Sequence, residues 1–417
     1  MIPSIIIIVT LLFLNCCVFL YIIKMYMGKY ILLLYFPIFL HFILNFIGVL
    51  NLGFITSEST VGINISDAIR EQIPTEFFIS ILVLNLFFLL FVKFLGVKKF
   101  DDSIKNYLTS NYVYTYSRRL LILTIMVLVI DSFAYGLPAG YYAIIGDPGM
   151  AAFQKGIILK AKISNGIPIF GYFVNYLPYF TFVNLLLWYI STGKGKKYLI
   201  ILIMVFFVYS FLTLVKSYLM MPMLFSLWCL LCLNKLRLSH IIKFILFLIP
   251  VLYLVFSSLS TSDSTIAYLF FKRVFLVQAE GMFIIRDLYQ TSDLGALFYS
   301  SPFRHIMDVH TFDPAAEIVA YYFGRESGWV NMNSFYAGQG YVMFGYFYIL
   351  VIPFLIFFQY LFINKLFSRL VNVGLLSILM VSFFILLPLS NNIANIVWFK
   401  DIIAFVLILP LLKRYKL

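Results

Sequence analysis

The chain of 417 residues is 63% hydrophobic and only 11% charged, whereas a soluble domain carries roughly 25% charged residues. That excludes a soluble globular protein of this size, which needs far more polar surface. The net charge of +13 does not indicate nucleic acid either, because the basic residues are scattered over short connectors between apolar runs rather than gathered on one soluble face.

Taken in chain order, the apolar runs predict about eleven transmembrane helices over 2–23, 30–50, 75–95, 120–136, 167–190, 198–215, 218–233, 241–259, 341–363, 371–389 and 393–412. About 20 apolar residues cross the roughly 30 Å of hydrocarbon in a bilayer, and irregular backbone cannot face lipid. The fold class expected is therefore an all-α polytopic membrane protein, one transmembrane domain over 1–417. The first run has neither a basic start nor a small-residue cleavage site, so it reads as a retained helix.

The connectors sort by charge. One side holds Lys24 and Lys29, the segment 96–119, Lys194 with Lys196 and Lys197, Lys235 with Arg237 and Lys243, Lys365 with Arg369, and Lys413 with Arg414 and Lys416. Together with Lys93 it collects 19 of the 30 basic residues and only Asp101 and Asp102 of the 17 acidic ones, a balance of +17 against −4 on the other side. Cytoplasmic loops attract Lys and Arg, so this side is expected to be cytoplasmic, with the N-terminus outside and the C-terminus inside. The outer loops are then 51–74, 136–166 and a long one over 260–340.

Within the long loop, Ile266 to Tyr289 is apolar but carries Lys272, Arg273, Glu280, Arg286 and Asp287. At about 2.5–3.5 kcal/mol per charge at the bilayer centre, it is a poor span and is expected to form an amphipathic helix at the outer interface. Arg273, Glu280 and Asp287 recur every seven residues, close to one face. Cys229 and Cys232 form a C-x-x-C inside an apolar helix with no companion pair, which suits packing better than zinc.

No Walker loop, dinucleotide fingerprint, H-E-x-x-H or D-x-D pair is present, so no cofactor and no metal site is expected. A nucleotide-activated donor is poorly supported. Outer-face chemistry then needs a substrate that arrives activated, as lipid pyrophosphate-linked sugars do. Cleaving one requires cations on the departing pyrophosphate and a base at the attacking hydroxyl. Lys216 interrupts an apolar stretch long enough for two spans. One helix must end early there, with help expected from Pro222, which puts Lys216 either in an outward-facing cavity or snorkelling to headgroups. Arg273 suits a lipid pyrophosphate through its planar fork or an ion pair with Glu280.

Lys272, Arg286, Arg304 and Arg325 are further cations that loop solvation also explains, and Lys155, Lys160 and Lys162 form a basic patch suited to headgroups. For the base, the loop offers His305, Asp308, His310, Asp313, Glu317 and Glu326. Asp131, in a span, either pairs with a lysine or lines a cavity. Tyr321, Tyr322, Trp329 and Tyr336 suit sugar faces and a membrane-interface belt equally.

This layout resembles the polytopic Wzy-type O-antigen and capsular repeat-unit polymerases. The resemblance rests on Lys216 in T-L-V-K-S-Y-L, on the charged segment Phe271 to Glu280, on the long outer loop, and on the run Asn331 to Tyr348. That run is similar to a loop-to-helix element shared with O-antigen ligases, in which a His-(Asn/Ser/Gln) pair precedes Gly-x-x-(Gly/Thr/Tyr). Gly345, Tyr346, Phe347 and Tyr348 match its second half, while Asn333 and Ser334 stand where the histidine pair would be.

The resemblance implies a GT-C-like fold in a bacterial inner membrane, and metal-independent glycosyl transfer at the periplasmic face. The donor would be an undecaprenyl-pyrophosphate-linked chain, the acceptor a lipid-linked repeat unit, and a chain-length regulator a protein partner. Lys216, Arg273, His305, Asp308 and His310 are the catalytic candidates. Arg286, Arg304, Arg325, Asn333, Ser334 and Glu280 are the candidates for holding substrate. A flippase of lipid-linked oligosaccharides, an O-antigen ligase and a membrane acyltransferase are the rival readings. The dominant outer loop disfavours the first, the absent histidine the second, and the lack of fitting partners for His41 and His240 the third.

Overall fold

The computed structural model describes residues 2–56, 59, 62–134, 136–147, 149–151, 153–157, 168–215, 217–236, 277–299, 301, 310–323, 334–387, 389 and 393–408. The predicted span 241–259 lies outside them. Among the described residues seven helical stretches are long and apolar enough to cross a membrane, and the protein is an all-α, multi-pass membrane protein.

The first half comprises α1 (Ile2–Tyr26), a 3₁₀ turn (Tyr30–Tyr35) running into α2 (Phe36–Phe54), α3 (Asp67–Leu95), α4 (Val97–Thr109), α5 (Tyr112–Phe133) and the short α6 (Ala139–Ile144). Next come α7 (Pro168–Thr192), α8 (Lys196–Thr213), α9 (Ser217–Cys232) and α10 (Val277–Leu288), then α11 (Leu294–Phe298) and α12 (Pro314–Phe323). The last part has α13 (Tyr336–Phe344), α14 (Tyr348–Phe367), α15 (Val373–Ile385), α16 (Ala394–Val397) and α17 (Lys400–Ile408). The predicted spans near 218–233 and 371–389 appear as the shorter apolar helices α9 and α15. The one at 393–412 begins as α16 and α17.

α15 is buried along nearly its whole length, as expected of a helix that is apolar all round. α1 instead exposes Ile6, Val9, Phe13 and Leu20, the apolar surface of a helix facing lipid. Buried amides replace charge where helices meet. Asn15 on α1 donates to the Phe78 carbonyl (2.9 Å), Asn85 lies 3.5 Å from Asn15, and Tyr35 donates to Asn85 (2.5 Å). Interhelical polar contacts of this kind supplement packing where no hydrophobic force separates helix from lipid.

Among the described residues the Lys- and Arg-rich connectors gather at one end. Gly28 N–H donates to the Cys232 carbonyl (2.6 Å), and Tyr30 and Ser191 share a hydrogen bond of 2.6 Å. The basic connector 96–119 is largely helix. α4 turns Phe100, Ile104 and Leu108 inward and Lys98, Lys99 and Lys105 outward. Its Asp101 accepts from Ile31 N–H (3.1 Å), while burial raises the carboxyl.

The junction at Lys216 differs from expectation in its cause. α8 ends at Thr213 and Leu214 adopts a left-handed conformation (φ 55°). Pro222 lies inside α9, one turn past its start, so the chain break and not the proline separates the two helices. Asp131 on α5 accepts from Tyr209 on α8 (2.5 Å). Cys229 and Cys232 are both free and buried in α9.

Candidate functional site

At the end opposite the basic connectors, α10 does not lie at an interface as its charge pattern suggests. It is wedged between α2, α3 and α13, and residues 279–286 are all buried. The physical reason lies in its partners. Its central charge, Arg286, is neutralised across the bundle by Glu76, near the start of the apolar part of α3 (Nη2 to Oε1, 3.0 Å). Arg286 is 2% exposed and Glu76 6%. A pair this deep survives only with added hydrogen bonds, and Glu76 has one: Tyr348, the first residue of α14, donates to Oε2 (3.1 Å).

Aromatic rings close the cage. The Arg286 guanidinium carbon sits 3.3 Å from the centroid of Tyr341 and 5.4 Å from that of Tyr346. A desolvated cation–π contact is worth about 2 kcal/mol. Arg286 Nη2 also reaches the Tyr346 hydroxyl (3.4 Å), which takes a second hydrogen bond from Gln72. Burial alone would lower the arginine's pKa. The charge of Glu76 and the hydrogen bonds that the guanidinium donates to Glu76 and Tyr346 outweigh it, so the group titrates above its usual value and stays cationic. Its Nε–H, also buried, has no acceptor among the described residues. An unmade buried donor costs about 1–3 kcal/mol.

The run 331–348 supplies most of this cage, and its geometry corrects the expectation of a loop leading straight into a span. α13 and α14 are separate helices folded back on each other. Gly340 packs against Tyr348, where an added Cβ would stand 3.1 Å from that of Tyr348. In a straight helix eight residues cover about 12 Å. Gly345 makes the reversal, with φ +57° and ψ −149°, a region essentially reserved for glycine. Gly338 is a packing glycine: a Cβ there would meet Ser334 and Ile285.

Of the residues nominated from sequence, Lys216, Arg273, His305, Asp308, Arg304, Arg325 and Asn333 lie outside the described residues, as do Lys160, Lys162, Lys272, Glu326 and Trp329. Arg286 is placed at the centre of the cage. Glu280 is buried one and a half turns earlier on α10. Ser334 is fully buried beside Gly338, its hydroxyl without a partner among the described residues. His310 stands apart: it is exposed, with its ring 6.3 Å from Phe312 and its carbonyl against Gly295.

Asp313 joins the other flank of α13. It caps α12 by accepting from Ala315 N–H (3.0 Å) and lies 3.5 Å from the Gln339 amide, whose oxygen accepts from Ile393 N–H (3.1 Å). Burial pushes its carboxyl up to about 6, against the pull of the Ala315 and Ala316 amides.

Glu76, Gln72 and Tyr341 were not nominated from sequence. The signal was there for Glu76, an acid set in Ile73-Pro74-Thr75-Glu76-Phe77-Phe78 at the edge of an apolar run, since ionisable residues at membrane depth are functional candidates. Among the described residues no three His, Cys, Asp or Glu side chains converge as a metal site would require.

Chemically, the cage offers one fixed guanidinium with a donor to spare, a carboxylate held beside it, and phenol hydroxyls on either side. Such a group can stabilise anionic oxygen, in a ground state or a leaving group. Compared with known protein families, with curated proteins and with solved structures, the chain matches none.

Proposed function

We propose that this membrane protein is a glycosyltransferase of the Wzy-polymerase kind. It joins lipid-pyrophosphate-linked saccharide repeat units, as donor and acceptor, into a longer polysaccharide at the face of a bacterial inner membrane away from the cytoplasm. The acceptor hydroxyl attacks the anomeric carbon of the donor. The bond to the pyrophosphate oxygen breaks, the hydroxyl proton passes to a base, and the lipid pyrophosphate departs with its negative charge held by cationic side chains.

The observation that carries the reading is Arg286: a permanently cationic guanidinium, buried yet with a spare donor, at the end of a multi-pass membrane protein opposite its basic connectors. Stabilisation of a departing diphosphate needs a group of that kind, and arginine supplies it without a metal. Glu76 orients the guanidinium through Nη2, and Nε is without a partner among the described residues. Lys216 and Arg273 are proposed to add charge to the same diphosphate.

The test is deletion of the gene in its host, with the surface polysaccharide resolved on a gel. Single-repeat products are expected. Loss of all surface polymer would assign the step to a flippase instead, and accumulation of unligated polymer to a ligase.

A further inference from the structure

The Arg286 cage is not closed equally on all sides. Tyr341 is buried beneath the guanidinium, but Tyr346, at its edge with its ring centroid 5.2 Å from that of Tyr341, is 53% exposed, and its neighbour Phe347 is 74% exposed. Both belong to the short 3₁₀ turn Gly345–Phe347. A Cβ on Gly345 would meet nothing within 4 Å, so the reversal that carries Tyr346 is not wedged by neighbours.

From this turn an exposed apolar stripe runs down α14 through Leu350, Phe354, Phe358, Phe362 and Leu366, one every four residues, a ridge that winds slowly around the helix. Its rings are stacked along the stripe, Phe354 on Phe358 at 5.5 Å and Phe358 on Phe362 at 6.4 Å. A buried cation with an unused donor, one half-exposed phenol over it, and an apolar stripe starting beside that phenol form one continuous surface. Its chemistry is that of an amphipathic anion with a long hydrocarbon tail.

We propose that a polyprenyl diphosphate enters laterally along the α14 stripe, and that Tyr346 is the gate its headgroup displaces to reach Arg286. This rests on the proposed polymerase reading and adds to it the route, the face and the gating residue. In the closed state the Tyr346 hydroxyl, anchored by Gln72, occupies the position beside Nη2. When the gate swings out on the Gly345 reversal, a diphosphate oxygen takes that place and another meets Nε. A diphosphate offers several anionic acceptor oxygens, enough to replace the Tyr346 hydroxyl at Nη2 and to reach Nε together, which a lipid without an acceptor headgroup cannot do. The stripe selects a tail over a free anion.

The experiment uses the full chain in nanodiscs of zwitterionic lipid, with a photoreactive amino acid in place of Phe354 or, as control, of Phe207 on the exposed face of α8. The probe is a radiolabelled polyprenyl diphosphate without sugar. Labelling is expected at Phe354 and not at Phe207, and unlabelled polyprenyl diphosphate should compete where inorganic diphosphate and phosphatidylglycerol do not. Tyr346→Ala should speed capture several-fold. Because Arg286→Gln alone strands Glu76, the paired variant Arg286→Gln with Glu76→Gln tests the cation in a neutral, folded cage, and capture should fall by at least about tenfold.

Equal labelling at the two positions, competition by inorganic diphosphate or phosphatidylglycerol as strong as by the lipid diphosphate, unchanged capture by Tyr346→Ala, or capture retained in the paired variant would each overturn the proposal. The assay contains no acceptor and forms no polymer. A failed route with normal polymer on the gel therefore condemns the route alone, and capture without any effect of gene deletion on chain length condemns the polymerase reading alone.

Discussion

The two ends of the bundle bury polar groups in different ways. At the basic end the contacts between helices involve no buried ion pair among the described residues: Tyr107 on α4 donates to Asn184 on α7 (2.9 Å), the Asn184 amide donates in turn to Ser117 on α5 (2.8 Å), and Asp101 accepts from a backbone N–H. At the opposite end a full ion pair, Arg286 with Glu76, is sunk among tyrosines and left with a donor unused. Tyr116 at the basic end also lacks a partner for its hydroxyl, but a neutral rotor loses little compared with a fixed guanidinium N–H. Both ends hold helices together. Only one holds a charge that a ligand can share, and for packing alone a buried pair is a poor choice, since apolar replacements of similar volume are often as stable.

The comparison breaks most sharply at Glu76. Removing one partner of a buried pair costs about 3–5 kcal/mol, so Glu76→Ala should lower the melting temperature strongly and reduce accumulation. The paired variant Glu76→Gln with Arg286→Gln should recover most of that loss in thermal unfolding of the nanodisc-embedded protein. If Glu76→Ala melts like the wild type, the ion pair is not an organising contact. At the neutral end the effect is smaller. Asn184→Leu strips both Tyr107 and Ser117 of their partner at a cost of about 1–3 kcal/mol, and it should leave polymer length unchanged where expression is matched.

Smaller still is the pH dependence of Asp313. Burial raises its carboxyl to about 6, above an unfolded value near 4, so the folded state holds this proton more tightly than the unfolded chain does. The associated stability is fully present below about pH 4 and is lost as pH rises through 6. Asp313→Asn, which still caps α12, should flatten the melting temperature between pH 4 and 7. A slope equal to that of the wild type would remove Asp313 as its source.

The sequence made the membrane layout legible because apolar run length and Lys/Arg placement are one-dimensional signals. α1, α3, α7 and α8 fall where the runs predict, and those basic connectors that lie among the described residues share one end. What was not legible depends on partners far apart in the chain. Arg286 in a charged loop segment reads as solvated. Only the approach of α3, 210 residues earlier, turns it into the centre of a cage, and the same pairing explains why α10 is buried rather than interfacial. Gly345 was visible as one of a run of glycines, but the reversal that folds α13 back onto α14 follows from its left-handed backbone and not from composition. The effect assigned to Pro222 belongs instead to the backbone at Leu214.

The central claim is that the Arg286 fork, and not merely a positive charge, serves the reaction. Arg286→Lys tests it most directly, because lysine keeps the charge and the pairing with Glu76 but has no Nε donor or planar fork. In a strain lacking the native gene, Arg286→Lys at wild-type protein level should yield single-repeat product, with chain extension reduced by about 10²–10³. Polymer of normal length and amount from that variant would contradict the account.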